Sequence, residues 1–219
     1  MMQDIDGAEP RMIREFSDFA GKAVLEVGCG DGRMTPLLVD PSGRLAAIDP
    51  DPARLALAKS RVGDADFALG LGEWLGFRDG SIGTVAFTFS LHHIDASKAL
   101  AEAHRVLEKG GQLLVVEPTP RGEVLQIFQL FKDESLEQGR AREALTGSGF
   151  VPEREAVFAS RWSFRDREEL MGYYFKGSAE RDAEVVRRID GILGKRVDLC
   201  PLFLGDESWI CSMRKPADE

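Results

Sequence analysis

The chain has 219 residues, 43% of them hydrophobic, enough for a sizeable core in one domain. Its formal net charge of −9 argues against broad binding to nucleic-acid phosphates, and no run of about 18 apolar residues and no apolar leader point to a membrane span or a secretory signal. Cys29, Cys200 and Cys211 are odd in number and lie at no metal-like spacing, which predicts a reducing cytoplasm, no disulfide framework and no metal site.

Residues 10–20 place Met12, Ile13, Phe16 and Phe19 at helical spacing, and Gly21 ends that helix. A-V-L-E-V (23–27) reads as a short buried strand, followed by the glycine run Gly28-Cys29-Gly30-Asp31-Gly32. Residues 32–39 read as a helix limited by Pro36. R-L-A-A-I-D (44–49) is a second strand. The helix 51–62 has Asp51 as N-cap and Pro52 at its first position. Strands follow at 65–69 and 84–90, the latter apolar and β-branched enough to be buried on both faces. A helix over 95–107 closes at Lys109-Gly110-Gly111, and Q-L-L-V-V-E (112–117) is the fifth strand. This βα rhythm predicts a parallel sheet with helices on both faces, binding ligands at the carboxyl ends of its strands. Beyond Pro118 the pattern predicts helices over 121–132, 137–147, 166–175 and 180–193. Strands over 157–164 and 208–214 form an antiparallel edge hairpin.

Three glycines between a strand and a helix admit positive φ and bring a ligand against the main chain, where a helix start offers unpaired N–H groups to an anion. Asp49 ends the second strand 21 residues after Gly28 (49 − 28), placed to accept hydrogen bonds from ribose hydroxyls. The third glycine comes one residue too early for the G-x-G-x-x-G dinucleotide pattern. Asp31 disfavours a pyrophosphate and favours an ammonium. A ligand with a ribose, a carboxylate and an ammonium satisfies all three features.

V-L-E-V-G-C-G-D-G-R, A-I-D-P-D, F-S-L-H-H-I and A-H-R-V-L-E-K-G-G-Q-L-L-V-V-E-P together resemble the class I S-adenosylmethionine-dependent methyltransferases. The nearest likeness is to the type 11 group that includes the ubiquinone and menaquinone C-methyltransferases. The resemblance covers residues 10–118 well. It implies an α/β, Rossmann-like three-layer sandwich whose seven-stranded sheet is mostly parallel, with an antiparallel last strand inserted. It also implies a single methyltransferase domain over 1–219, with residues 1–22 and 119–206 forming a lid and substrate region.

By the same resemblance, Glu26, Gly28, Cys29, Gly30, Asp31 and Gly32 hold the methionyl portion of S-adenosylmethionine. Asp49 holds the ribose and Pro50 flanks the adenine. Gly72 and Glu73 lie beside the adenine edge, and Ser90 lies by the sulfonium. His92, His93 and Glu117 are the candidate catalytic residues. Leu71 stands where the family places a carboxylate, Ile82-Gly83 replaces Phe-Asp, and Gly76 replaces Pro.

The expected activity is in-line methyl transfer to a small-molecule acceptor, leaving S-adenosylhomocysteine, in a cytoplasmic monomer or homodimer without nucleic-acid partners. Phe16, Phe128, Phe131, Trp162, Tyr173, Tyr174 and Phe175 are the candidate walls of an apolar acceptor site. The alternatives are a non-catalytic sensor or partner subunit binding S-adenosylmethionine or S-adenosylhomocysteine, an RNA or protein methyltransferase, and, least favoured by the glycine spacing, a nicotinamide oxidoreductase.

Overall fold

A computed structural model describes residues 1–217. In chain order the elements are α1 (Ala8–Phe16), β1 (Ala23–Val27), β2 (Arg44–Asp49), α2 (Pro52–Arg61), β3 (Asp66–Leu69), β4 (Ile82–Thr88) and α3 (Ala96–Val106). They continue with β5 (Leu107–Pro118), α4 (Glu123–Phe128), α5 (Ser135–Leu145), β6 (Val151–Phe164), α6 (Arg167–Tyr174), α7 (Ala183–Leu193) and β7 (Leu202–Arg214). The helices start where side chains take the unpaired amides. Asp4 accepts from Ala8 and Glu9 N, both at 2.9 Å, and starts α1 two residues earlier than its apolar spacing predicts. Asp51 accepts from Ala53 and Arg54 N, and Asp95 from Lys98 N.

The strands form one sheet in the order β3-β2-β1-β4-β5-β7-β6. β1 pairs in parallel with β2, Ala23 opposite Arg44, and with β4, Val24 opposite Thr84; β2–β3 and β4–β5 are parallel as well. β7 lies antiparallel between β5 and β6, so the seven-stranded sheet with an inserted last strand is present as the resemblance implies. Every residue of β4 is buried. Among the described residues no helix is long and apolar enough to cross a membrane.

Several elements differ from the sequence reading. The helix over 32–39 is a single 3-10 turn, Thr35–Leu37, because Gly32 is at φ +82° and Pro36 removes an amide donor. β5 starts at Leu107 rather than 112. Ile82 pairs with Leu107, a register shift follows, and Gly110, at φ +73°, donates to Lys215 O while Lys215 donates to Gly111 O. The glycines thus form an irregular strand start rather than a turn. β6 and β7 are longer than 157–164 and 208–214. Their extra length on β6 is polar and exposed, as an edge strand allows, and Glu153 there pairs with Arg214.

Two compact units make up the chain. One contains Met12–Glu117, Leu136–Ala156 and the chain from Trp209 onward. Its core joins Leu25, Val85, Phe87, Leu113 and Val115 of the sheet to Ala99, Leu100, Ala103 and Val106 of α3, the i, i+1, i+4, i+7 stripe of a helix facing a sheet. The other contains Met1–Arg11, Pro118–Ser135 and Val157–Ser208. There Trp162, Phe164, Leu202 and Leu204 pack with Val124 and Ile127 of α4, Leu170 and Tyr174 of α6, and Ile189 and Leu193 of α7.

In the first unit the connection between β3 and β4 has little regular structure, and Arg105 fixes it to α3. Its guanidinium donates to Leu75 O at 2.8 Å and Phe77 O at 2.9 Å and forks onto Glu102, which accepts from Leu75 N. Arg105→Ala is expected to lower unfolding stability in urea by about 1.5–3 kcal/mol, the range for hydrogen bonds to a charged group. Arg105→Lys should recover less than half, because lysine lacks the fork.

Candidate functional site

The strand order reverses between β1 and β4, and their carboxyl ends are in close contact. Gly28 follows β1 at φ +76°, and a Cβ there would lie 2.5 Å from Ser90 Cβ beyond β4. The Ser90 hydroxyl donates to Val27 O at 2.6 Å, closing the contact from the other side. Between them Phe89 takes φ +56°, unusual for a residue with a side chain. Such strain persists where surrounding contacts over-determine the backbone, and it clusters at functional sites.

The glycine run is anchored by its own amides. Gly28 and Cys29 N both donate to Ile48 O, Gly32 N donates to Cys29 O, and Gly30 N donates to Asp49 Oδ2 at 2.8 Å. Asp49 Oδ1 accepts from Asp51 N at 2.9 Å, and the residue is buried. Asp49 is therefore turned into the loop. Its two oxygens accept two hydrogen bonds of the roughly four a carboxylate takes. That acceptor capacity suits the hydroxyl donors of a ribose, which is the fit the residues themselves offer to a nucleoside. These four amides are committed within the loop, and Arg54 covers Gly30 while α2 packs on Gly32 through Ala58. The missing side chains are thus explained by close packing as well as by positive φ.

Glu26 is fully buried one residue before the end of β1. Thr35 donates to its Oε2 at 2.6 Å and Thr88 to its Oε1 at 2.8 Å. Burial raises its pKa above the ordinary carboxylate value, against the opposing pull of the two hydroxyls and Arg33. Cys29 is buried beside it, and desolvation first, then the charge of Glu26, pushes its thiol up to about 12. That thiol is a space-filler and not a nucleophile at neutral pH. Asp31 pairs with Arg61.

At the end of β3 the chain turns through Gly70, whose amide donates to Asp49 O at 3.3 Å. Gly72 leaves room for Ile94 and Val27, since a Cβ there would lie 2.7 Å from Ile94 Cδ1. Glu73 Oε1 accepts from Asp95 N at 3.0 Å, just before α3. Pro50 is exposed. Leu71, 56% exposed, and Trp74, 80% exposed, form a bridge across this turn and leave an apolar surface uncovered.

At the ends of β4 and β5, Glu117 and His92 are both buried. Glu117 accepts from Leu91 N through Oε1 at 2.9 Å and pairs through Oε2 with His92 Nδ1. His93 is exposed, its ring 3.9 Å from that of His92 between centroids. A cavity of about 580 Å³ runs from His92 along α3 and α5, with Leu100 and Ala141 at its base and Glu137, Arg140 and Glu143 on its rim. The roles of Thr35, Thr88 and Arg54 are not marked by any motif. The only trace in the sequence is the hydroxyl residue at the end of β4, where an apolar one would serve packing equally well.

The proposed aromatic walls divide. Phe16 lies under the Arg154 guanidinium, 4.4 Å from the ring centroid. Phe128, Phe131, Trp162, Tyr173, Tyr174 and Phe175 form one connected group of rings.

The sequence profile of the methyltransferase-domain family matches residues 25–115. An uncharacterised methyltransferase of Mycobacterium tuberculosis is 32% identical over 107 residues, 49% of this chain and 44% of that protein. The ubiquinone/menaquinone biosynthesis C-methyltransferase of Rubrivivax gelatinosus is 31% identical over 126 residues, 55% of this chain and 49% of its own length. The chain thus spans about half the length of the curated relatives it matches. Geranyl diphosphate C-methyltransferase of Streptomyces coelicolor, solved with Mg2+, geranyl diphosphate and S-adenosyl-L-homocysteine, superposes with a TM-score of 0.61. That match covers 96% of this chain and 81% of that one at 13% identity, a likeness of fold.

The raised pKa of Glu26 makes stability depend on pH with a definite sign. Between the unfolded value near 4.5 and the higher folded value, the folded state holds a proton that the unfolded state has released, so stability falls as pH rises through this window. Urea midpoints of the wild type are expected to drop across it relative to Glu26→Gln; a constant difference between the two proteins would show that burial does not govern this group.

Proposed function

We propose that this chain, which the methyltransferase-domain profile matches over residues 25–115, is a class I S-adenosylmethionine-dependent methyltransferase of the type 11 group and moves a methyl group to a small-molecule acceptor. The observation that carries the reading is the meeting of the glycine loop with Asp49, at 2.8 Å, beside the reversal in strand order. Sheets of this kind bind ligands at that place.

Asp49, held by the Gly30 and Asp51 amides, takes the ribose hydroxyls on its remaining lone pairs. Pro50, Leu71 and Trp74 flank the adenine, and the backbone of Leu71 to Glu73 substitutes for the carboxylate the family usually has there. Gly28, Cys29, Gly30, Asp31 and Gly32 line the methionyl portion. Glu26 acts on it indirectly, by fixing the shape of the loop. Ser90 holds the end of β4 beside the sulfur. S-adenosylmethionine supplies a methyl carbon on a positively charged sulfur for in-line displacement. What the protein adds is alignment, which contributes up to about 7–11 kcal/mol in favourable systems.

The Glu117–His92 pair favours an acceptor that must lose a proton. Glu117 orients the imidazole through Nδ1 and so sets the tautomer that carries its lone pair on Nε2. His93 lies beside His92, with the two rings tilted by 50°. Residues 1–22 and 119–206 supply acceptor recognition within a single methyltransferase domain, which acts in the cytoplasm as a monomer or homodimer.

Calorimetry with S-adenosylhomocysteine tests the cofactor half. Asp49→Ala is expected to weaken binding by about 1.5–3 kcal/mol, and unchanged affinity in a folded variant refutes the ribose role. Labelled methyl transfer into a metabolite extract tests the catalytic half. His92→Asn and Glu117→Gln should retain cofactor affinity and lose transfer at least tenfold, with the pH profile of the remaining activity altered. Full activity with an unmoved profile in both variants removes the base from the mechanism.

A further inference from the structure

The chain leaves β4 through Phe89, whose φ of +56° is a left-handed conformation. For a bulky side chain that region is an outlier, whereas glycine adopts it without steric cost. The segment is held there from both sides. The Thr88 hydroxyl donates to Glu26 Oε1 at 2.8 Å and the Ser90 hydroxyl to Val27 O at 2.6 Å, both on β1. Phe89 N donates to Val116 O at 2.7 Å and Leu91 N to Glu117 Oε1 at 2.9 Å, both on β5. None of these bonds uses the phenyl ring. A glycine at 89 would keep them all and relax the backbone, so the strain is tied to what the ring itself meets.

The ring is half-buried and lies against the glycine run. The Arg33 guanidinium, one residue past Gly32, stands over it with Cζ 5.1 Å from the ring centroid. The ring also adjoins Ser90, whose Cβ lies 2.5 Å from where a Cβ on Gly28 would sit, at the reversal in strand order. Its face therefore already holds a cation at the edge of the sheet where a ligand of this fold lies. An aromatic face attracts a cation through its quadrupole, and more strongly when the cation is out of water. The attraction needs no proton on the cation. That matters for a sulfonium, which has no N–H or O–H to offer to a hydrogen-bond acceptor.

We propose that the Phe89 ring recognises the positive sulfur of S-adenosylmethionine, which takes the place of the Arg33 guanidinium over the ring, and that Phe89 thereby favours the charged cofactor over its neutral product. The inference rests on the proposed function and names a further residue of that site. When the methyl group moves to the acceptor, the electron pair of the broken S–C bond stays on sulfur and the sulfur loses its charge. The ring then has no cation to hold, and S-adenosylhomocysteine is released more readily than S-adenosylmethionine. Because the attraction is strongest before the reaction, the ring acts on binding and exchange and does not lower the barrier.

The test compares S-adenosylmethionine with S-adenosylhomocysteine by calorimetry on the full chain. The two share adenine, ribose and the amino-acid end, and differ in the methyl group and its charge. Phe89→Leu keeps an apolar side chain and the same backbone strain. It is expected to lower the ratio of the two affinities, S-adenosylmethionine over S-adenosylhomocysteine, by about three- to tenfold, while the affinity for S-adenosylhomocysteine changes less than the ratio does. A trifluorinated phenylalanine placed at 89 keeps the shape of the ring and drains its face of electron density. It should lower the ratio in the same direction, and it separates electrostatics from packing where the leucine variant does not fold. An unmoved ratio in the fluorinated protein, or equal weakening of both ligands, overturns the role of Phe89 and leaves the proposed function standing. Failure of both ligands to bind the wild type removes the proposed function and this inference together.

Discussion

The hydrogen bond from Gly30 N to Asp49 governs the carboxyl edge of the sheet. It ties the loop after β1 to the last residue of β2. The same pattern recurs at two other strand ends. Glu26 joins β1 to Thr35 and to Thr88 of β4, and Glu117 joins β5 to Leu91 and His92. Each carboxylate is buried and ties its strand end to a neighbouring segment. Placing acids there has an electrostatic cost, visible in the raised pKa of Glu26.

Much of the carboxyl edge can be read from the residues because it relies on local chemistry. Pro52 after Asp51 and the β-branched burial of β4 each have one dominant physical explanation. The failures have a common cause. Residues 32–39 have an apolar helical pattern, but Gly32 packs against Ala58 and the Thr35 hydroxyl is taken by Glu26, contacts that come from distant segments. The extra length of β6 is hidden because its ladder is supplied by a neighbour and its side chains are polar, with Arg154 bound to Glu15 rather than to anything in its own strand. Asp31 shows the same limit. Its place in the glycine run fits an ammonium, yet Arg61, thirty residues away, is the partner it takes in the fold.

The glycines also illustrate how one residue type serves two constraints. Positive φ at 28, 30 and 32 is a backbone requirement, while the approach of Ser90, Arg54 and Ala58 is a packing requirement. Either alone selects glycine. The run is therefore accounted for without a ligand, whereas Asp49 keeps acceptor capacity that packing does not fill.

The outer strands follow different physics. The edge around Asp49 is built from committed hydrogen bonds, and few changes there leave the loop intact. The outer face of β6 and β7 is built from alternating side chains on regular strands, where a residue can change its polar atom without changing the backbone. Serine at 160 and 208 in place of an apolar residue sacrifices packing and leaves hydroxyls that the protein does not meet.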